Sequence, residues 1–261
     1  MTSTAAVPPP RATYRRLSVE ERRAQLLLAA LGLFAHRAPD EVSLDDVAVA
    51  AGVSRPLVYR YFPGGRQQLY EAALGSAADE LKLCFTEPPE GPPTERVARV
   101  LDRYLRFVDE HDTGFSALLR GGGVVETSRT TTIVDGVRRA AADEILRHLG
   151  RIGGDAGEGQ QPPGPRLRMM VRSWIAAVEA ASLIWLDDGK RPAAAELRGW
   201  LVDHLVALLA ATAATDPETA SVVSDLLALE TSEGPAGRLA GRVIPVVAEA
   251  AHLLPAPPAS D

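Results

Sequence analysis

The stretch "SRPLVYRYFPGGR", Ser54 to Arg66, decides the fold, because it can be interpreted either as a strand or as a helix. Its aromatic and β-branched residues, followed by Pro-Gly-Gly, are typical of one arm of a β-hairpin. On a strand, however, alternate residues share a face, so Arg60 would point the same way as Val58 and Phe62. A strand that buries these two apolar side chains would therefore bury an arginine with them.

A helix separates the same residues more cleanly. At 100° per residue, Val58 and Phe62 lie one turn apart and can both face a core. The opposite arc then carries Pro56 and Arg60, with Tyr59 at its edge, while Arg55 is the first residue of the helix after the cap at Ser54. The pattern favours a short helix that ends at the Pro-Gly-Gly and presents polar and aromatic side chains outward.

A second short helix precedes this one. "SLDD" places Ser43 as an N-cap with Asp46 three residues later, and Gly52 is a typical helix stop. Ser54 then caps the next helix, and Pro56 is tolerated in its first turn because those N–H groups have no intrahelical partner. Two short helices joined by a tight turn predict a helix-turn-helix over residues 43–62, with the second helix as the candidate reader of the DNA major groove.

The rest of the 261-residue chain also favours helices. Aromatic residues are scarce at 5%, no convincing alternating strand is present, and "SVEE" at Ser18 fits a capping box that opens a helix ending near His36. Further helical patterns run over 95–111, 113–120, 126–149, 165–188, 193–214, 216–231 and 236–254, the last kinked or split at Pro245. We expect an all-α protein.

Composition shifts divide the chain. We expect a disordered arm (1–17), a three-helix DNA-binding domain with a connecting helix (18–85), a Pro- and Gly-rich linker (86–94), a helical domain (95–215), and a helical extension with a disordered tail (216–261). "LLRGGG" (118–123) is a candidate hinge, and residues 150–165 form a flexible connection.

Charge is distributed unevenly between these parts. Residues 1–70 hold nine arginines and six acidic residues, a net of +3, whereas the whole chain carries −6, so the remaining residues carry −9. This asymmetry predicts a small basic module on an acidic body. A module of +3 neutralises few phosphates, so two copies on a twofold axis are expected for useful affinity.

Other classes of protein find little support. The five histidines show no metal-ligand spacing, no nucleophile or acid pair stands at a recognisable spacing, and neither a metal nor a cofactor is expected. The unpaired Cys84 agrees with a reducing compartment, and the N-terminus lacks the apolar segment of a signal peptide. We therefore expect a cytoplasmic protein, and since no run approaches about 18 apolar residues without a charge, we expect no membrane span.

The run "VSLDDVAVAAGVSRPLVYRYF", followed by P…R…L, resembles the TetR (TetR/AcrR) family of bacterial transcriptional regulators, and the resemblance covers residues 18–84. It implies a repressor that binds a palindromic operator in double-stranded DNA as a homodimer. It also implies a larger helical C-terminal domain for ligand binding and dimerisation, with a small-molecule effector that moves the two DNA-reading heads out of register.

The resemblance assigns roles to residues of the helix-turn-helix. Arg55, Pro56 and Tyr59 match base-reading positions, and Ser43, Tyr61 and Arg66 match phosphate-contacting ones. The full expected DNA-binding set is Ser43, Ser54, Arg55, Pro56, Tyr59, Arg60, Tyr61 and Arg66. Arg60 could instead be an ordinary solvated residue, and Tyr59 and Tyr61 could pack on the first helix. The chain departs from the family in having one extra residue before Arg66, where a lysine is usual.

The C-terminal domain offers candidate pocket residues. They are Tyr104, Phe107, Phe115, Met170, Trp174 and Glu179, with Met169 and Trp185 as further apolar candidates. Glu179 stands alone among apolar neighbours in "SWIAAVEAASLIWL", and an unpaired buried carboxylate is costly. It is therefore either paired with an arginine such as Arg120 or Arg172, or a polar anchor for a hydrophobic effector.

Two questions stay open at this level. The helices at 165–188 and 193–214 are the expected dimer surfaces, through a stripe of Leu197, Leu201, Leu205, Leu208 and Leu209 that could alternatively form an intramolecular core. The extension after residue 215 could brace the dimer or cover the pocket. The alternative function is a DNA-binding regulator that responds to a partner or to its own abundance, and an enzyme is a remote one.

Overall fold

The chain folds into successive helices around two hydrophobic cores. The computed structural model describes residues 17–119, 128–152 and 163–251, and within these ranges there is no strand. The α-helices are α1 (Val19–Phe34), α2 (Leu44–Ala51), α3 (Arg55–Tyr61), α4 (Gly65–Phe85), α5 (Pro93–Glu110), α6 (Asp112–Leu119), α7 (Ser128–Ile152), α8 (Pro165–Asp187), α9 (Ala194–Ala213), α10 (Pro217–Ala228) and α11 (Pro235–Ala251). The all-α prediction is confirmed.

The first core is built by α1 to α4. Ser18 caps α1 with the reciprocal capping box that the sequence predicts, its Oγ accepting from the Glu21 backbone N–H while the Glu21 carboxylate accepts from the Ser18 N–H. Leu26 and Ala30 of α1 are fully buried in this core. The helix ends at Phe34, slightly before the predicted position near His36.

The turn between α2 and α3 depends on one glycine. Gly52 has φ = 64°, in the left-handed region where a side chain would be strained, and the Val53 N–H donates to the Ala48 carbonyl at 2.9 Å. Gln25 of α1 fixes the turn from outside, because its Nε2 donates to the Ala51 carbonyl at 2.9 Å. The angle between α2 and α3 is therefore held by both the turn and the first helix.

The opening stretch of sequence is a helix. Within it Val58 and Phe62 are completely buried in the first core, as the helical arrangement predicts. The guanidinium carbon of Arg23 lies 5.6 Å from the centre of the Phe62 ring and covers it from the side of α1.

Helix α4 connects the two cores. Its first half places Leu69 and Ala73 in the first core, and Leu81 and Phe85 near its end pack against the second. The connection to α5 (86–92) is not a loose linker, because the buried Glu87 carboxylate accepts from Arg99 Nε at 2.5 Å and from Arg103 Nη2 at 2.7 Å. Burial raises the pKa of Glu87, but the hydrogen bonds from both arginines outweigh it and the net pKa is lowered.

The second core is formed by α5 to α10, and it absorbs the leucine stripe of α9. Leu197, Leu201, Leu205 and Leu209 are all buried inside this one chain, so the expectation that they form a dimer surface is wrong. The physical reason is that these leucines lie on one face of α9, and this face packs on α5, α8 and α10 within the same chain. The same side chains cannot also contact a second copy. The Trp174 indole N–H fixes the contact between α8 and α9 by donating to the Leu201 carbonyl at 3.0 Å.

Among the described residues, α8 is the one helix long and apolar enough to cross a membrane, with a mean hydropathy of 1.4 over 18 residues. One of its faces, with Leu167, Val171 and Val178, is part of the second core. Its opposite face is exposed, and Met169 and Ile184 are 68% and 60% accessible.

The extension after residue 215 is folded onto the second core. Asp216 caps α10 by accepting from the Thr219 backbone N–H at 3.1 Å. Helix α11 runs through Pro245 without a break, so of the predicted kink or split the split does not occur. Glu230, between the two helices, accepts at 2.7 Å from both the backbone N–H and the Oγ1 of Thr94. Its carboxylate thereby caps the start of α5.

Several expectations fall outside the described residues. The arm (1–16), most of the candidate hinge at 118–123, the centre of the connection at 150–165 (153–162) and the tail (252–261) belong to this group.

The ends of α1 and α6 join the two parts of the molecule by backbone contacts. The Thr113 N–H donates to the Ala35 carbonyl at 3.2 Å. At the neighbouring Gly114, a Cβ atom would lie 2.6 Å from the carbonyl oxygen of Phe34. Only glycine allows α6 to approach the end of α1 this closely.

We predict that Gly114→Ala lowers the free energy of unfolding by about 1–3 kcal/mol, because the backbone of α1 or α6 must move to admit the methyl group. Gly75→Ala is the matched control, since the same methyl group on α4 meets open space. It should raise stability by about 0.5–1 kcal/mol by removing a helix-interior glycine. Urea unfolding of both variants is the measurement, and equal effects would contradict the close approach.

Candidate nucleic-acid interface and ligand cavity

The outward face of α3 carries the side chains that the sequence assigned to base reading. Arg55, Pro56, Tyr59 and Arg60 are all exposed, and the Tyr59 side chain is 41% accessible despite its size. The buried Val58 and Phe62 fix the rotation of the helix about its axis. This short helix therefore presents its polar and aromatic residues to solvent from a rigid base.

Arg55 is held in place by two neighbours. Its Nη2 donates to the Tyr59 hydroxyl at 3.2 Å, and its guanidinium carbon lies 5.4 Å from the centre of the Tyr59 ring. On the other side, Arg55 Nε lies 2.8 Å from Oδ1 of Asp45 in α2. The planar donor fork of arginine matches the O6 and N7 acceptors of guanine, and an oriented fork loses less side-chain entropy on binding.

Asp45 is a component that sequence reasoning did not identify. It lies in the first turn of α2, where acidic residues are common for helix-dipole reasons, so its position gave no functional signal. In the structure it places a carboxylate beside Arg55 on the exposed face, where a DNA group would compete with it for the guanidinium.

The two cap serines differ. The Ser43 Oγ donates to Asp46 Oδ2 at 2.7 Å and accepts from the Asp46 N–H, so its hydroxyl is engaged in the capping box of α2. These hydrogen bonds from Ser43 lower the pKa of Asp46. Ser54 caps α3 with its backbone alone, because its side chain accepts no capping hydrogen bond.

Tyr61, Arg60 and Arg66 lie around the end of α3. Tyr61 is half-buried and packs against the first core, and the guanidinium carbon of Arg60 lies 5.6 Å from its ring centre. Arg66 is exposed in the first turn of α4, where its Nη1 donates to the Asp40 carbonyl at 2.8 Å. The additional glycine in the turn, Gly65, has φ = 72° and forms the first residue of α4.

A cavity of about 500 Å³ lies in the helical body, in the size range of sites for small molecules. Its wall is almost entirely apolar and comes from nearly every long helix. Leu31 and Phe34 of α1 and Leu74 of α4 contribute to it, so the cavity wall includes residues of the DNA-binding domain.

Most of the predicted pocket residues line this cavity: Tyr104, Phe107, Phe115, Trp174 and Glu179. The remaining candidates lie elsewhere. Met170 is buried in the second core away from the cavity wall, Met169 is exposed, and Trp185 is buried with its indole N–H donating to the Pro192 carbonyl at 2.8 Å.

Glu179 is paired across the cavity wall with Arg138 of α7. Arg138 Nε lies 3.0 Å from Glu179 Oε1, Arg138 Nη2 lies 2.9 Å from Oε2, and Arg138 Nη1 also donates to Asp135 at 3.2 Å. The expectation of a structural ion pair holds, but Arg172 is not the partner and Arg120 lies outside the described residues. The pair joins positions 41 residues apart, which no local pattern could reveal.

Tyr104 places a buried hydroxyl group in the almost entirely apolar cavity wall. Its ring packs edge-on against Phe115, with ring centres 6.3 Å apart, and its hydroxyl has no hydrogen-bond partner among the described residues. Burial raises the pKa of this hydroxyl. It is therefore a neutral donor at physiological pH.

The extension completes the cavity wall. Val223 and Leu226 of α10 and Leu239 and Val243 of α11 line it, together with Glu230 between these helices. Of the two roles left open by the sequence, covering the pocket is the one that this placement supports.

Comparison with known proteins gives consistent results along the chain. The family model "Bacterial regulatory proteins, tetR family" matches residues 26–73, and "Tetracyclin repressor-like, C-terminal domain" matches residues 93–208. A TetR-family transcriptional regulator from Streptomyces coelicolor has a crystal structure 50% identical in sequence. The match covers 89% of this chain and all of that one, with a TM-score of 0.79.

Two curated relatives are regulators as well. The HTH-type transcriptional activator FasR of Mycolicibacterium smegmatis is 24% identical over 177 residues, which cover 67% of this chain and 77% of FasR. The HTH-type transcriptional repressor Rv3405c of Mycobacterium tuberculosis is 38% identical over 90 residues, 34% of this chain and 45% of that protein.

The helix-turn-helix with its exposed α3, the helical body behind it and these matches lead to one conclusion. The chain belongs to the TetR family of bacterial transcriptional regulators, and it is a DNA-binding regulator rather than an enzyme.

Proposed function

We propose that the protein is a cytoplasmic repressor that binds a palindromic operator as a homodimer and is released by a small hydrophobic effector. The observation that carries this proposal is the shared wall: one apolar cavity is lined both by the C-terminal helices and by α1 and α4 of the DNA-binding domain. A molecule that changes the shape of this cavity acts directly on the helices that support α3.

In the proposed DNA complex, α3 enters the major groove. Arg55, Pro56 and Tyr59 read base edges, with the Arg55 fork on a guanine. Ser43, Ser54, Tyr61 and Arg66 contact phosphates and fix the register, and Arg60 reaches either kind of group. Because Ser43 and Arg66 already hydrogen-bond within the protein, their phosphate contacts require a shared or exchanged hydrogen bond.

The proposed dimer uses the outer faces of α8 and α9, which are the helices expected from the sequence (165–188 and 193–214). On α8 the exposed residues Ala176, Ala180 and Ile184 follow one another at helical spacing. On α9, Trp200 is 53% accessible and its ring lies 5.2 Å from that of His204. Small side chains flanked by large apolar ones allow two helix pairs to approach closely.

The proposed release mechanism requires the effector to bind one arrangement of the two heads better than the other. A ligand that fills the cavity pushes on Leu31, Phe34 and Leu74 and so on α1 and α4. The backbone contact between Thr113 and Ala35 passes movements of α6 to the same end of α1.

The alternative is a DNA-binding regulator controlled by a partner or by its abundance, without a small-molecule response. A packed C-terminal core would favour it, and the cavity of about 500 Å³ favours a ligand instead. The direction of regulation rests on family resemblance, and the two curated relatives carry the names of an activator and a repressor.

We predict that Arg55→Ala weakens binding to a DNA site selected from a random library by about 1–3 kcal/mol for each half-site, because one bidentate contact to a base is lost. Tyr59→Phe should have a smaller effect in the same direction, since it removes only the hydroxyl that orients the arginine. Fluorescence anisotropy titration at fixed salt measures both.

The matched control for this titration is Arg106→Ala, which removes an exposed arginine from α5. It should leave the affinity nearly unchanged. If Arg55→Ala and Arg106→Ala behave alike in folded protein, α3 does not read the operator.

We predict that Ala180→Glu converts the dimer to monomers, because it places a charge in the centre of the proposed α8 contact and opposite its own copy. Ser221→Glu on the exposed side of α10 is the control and should stay dimeric. Sedimentation velocity distinguishes the two species. A dimer that survives Ala180→Glu unchanged would exclude this face of α8 as the interface.

We predict that saturation of the cavity with a neutral apolar ketone, 2-undecanone, lowers the affinity for the selected DNA site at least tenfold, because the ligand displaces α1 and α4. The same anisotropy titration measures the change, with binding of the ketone verified separately by calorimetry. A protein that binds the ketone and keeps its DNA affinity supports the alternative without a small-molecule response.

A further inference from the structure

The cavity wall contains a polar group that lacks a partner. Tyr104 is 7% exposed, its hydroxyl is buried, and the described residues offer it no hydrogen bond of acceptable geometry. The Ser182 hydroxyl, which donates to the Val178 carbonyl at 2.8 Å, lies close enough to lower the pKa of the Tyr104 hydroxyl against the larger effect of burial, but the contact does not reach hydrogen-bond geometry. Buried polar groups in native proteins almost always have a partner, and one that lacks it in an apolar cavity points to a ligand.

The surroundings of Tyr104 restrict the charge of that ligand. Glu179 acts electrostatically on Tyr104, and it belongs to a cluster in which two carboxylates, Glu179 and Asp135, share the single guanidinium of Arg138. This cluster carries a net charge of −1, and three nitrogens of Arg138 are already hydrogen-bonded. A ligand carboxylate at Tyr104 would therefore lie beside a cluster of the same sign of charge.

From this geometry we propose that Tyr104 is the specificity-determining residue of the cavity, and that it donates a hydrogen bond to a neutral ligand with one carbonyl-type acceptor on an apolar body. This inference rests on the proposed effector function and names the chemical class of the effector: a ketone, ester or lactone rather than a hydrocarbon or a carboxylic acid. The apolar remainder of the wall supplies affinity, and the hydroxyl supplies orientation.

The test uses three probes of equal carbon number: 2-undecanone, undecane and undecanoate. Isothermal titration calorimetry on the full chain without DNA measures their binding at neutral pH. Tyr104→Phe should weaken the ketone about five- to tenfold, the net value of one hydrogen bond, and leave undecane within about twofold. Undecanoate should bind at least about tenfold more weakly than the ketone, because its charge must be buried beside a negative cluster.

Two controls separate recognition from structure. Tyr70→Phe removes the hydroxyl of the other buried tyrosine in the described part of the chain, which lines the same cavity and packs edge-on against Phe34; if Tyr104 is the specific donor, this change should leave the ketone affinity within about twofold. Urea unfolding of the ligand-free Tyr104→Phe protein should show no loss of stability, since replacing a buried hydroxyl without a partner removes an unfavourable group. A hydroxyl with only a structural role would give the opposite result.

The calorimetry results distinguish a failure of the role of Tyr104 from a failure of the proposed effector function. Equal weakening of ketone and undecane by Tyr104→Phe, or tighter binding of undecanoate than of the ketone, would overturn the role of Tyr104. Binding of none of the three probes would contradict the effector cavity as well. Selective ketone binding without any effect on DNA affinity would leave Tyr104 as the anchor and overturn only the release mechanism.

Discussion

The burial of one continuous helix, α4, in both hydrophobic cores is the constraint on which the rest of the molecule depends. Leu69 packs with the helix-turn-helix, and Leu81 packs with the C-terminal helices, without a break between them. A rigid helix held at both ends cannot shift at one end alone. The orientation of α3 is therefore mechanically tied to the packing of the helical body.

Two further contacts strengthen this link. The clamp of Arg99 and Arg103 on Glu87 fixes the end of α4 to α5, and the glycine at position 114 allows α6 to touch the end of α1. The cavity lies among these same elements. The cavity wall therefore includes helices of the DNA-binding domain. For this reason we propose that a ligand in the cavity changes the position of α3.

Much of the fold could be predicted from the sequence because local signals decide it. The capping box at Ser18, the left-handed Gly52 and the spacing of Val58 and Phe62 each act within a few residues. These signals agree with one another, and consistency between levels is typical of a sequence that specifies one structure. The outward positions of Pro56, Tyr59 and Arg60 on α3 follow from the same spacing once the buried face is known.

The remaining features depend on contacts between distant segments. The pairing of Glu179 with Arg138, the carbonyl of Asp40 that holds Arg66, and the carboxylate of Asp45 beside Arg55 join different helices or turns. The leucine stripe of α9 illustrates the same limit. Its spacing predicts an apolar face correctly, but a single sequence does not reveal whether that face meets its own chain or a second copy.

The most direct test of the central claim, that the cavity controls the separation of two DNA-reading heads, is a distance measurement between protomers. Glu20→Cys in a Cys84→Ser background places one spin label on each α1, at an exposed site away from α3. Pulsed electron resonance should give one narrow distance distribution with the selected DNA and a shifted one with 2-undecanone. An absence of any inter-protomer distance, or the same distribution with the ligand bound, would contradict the account.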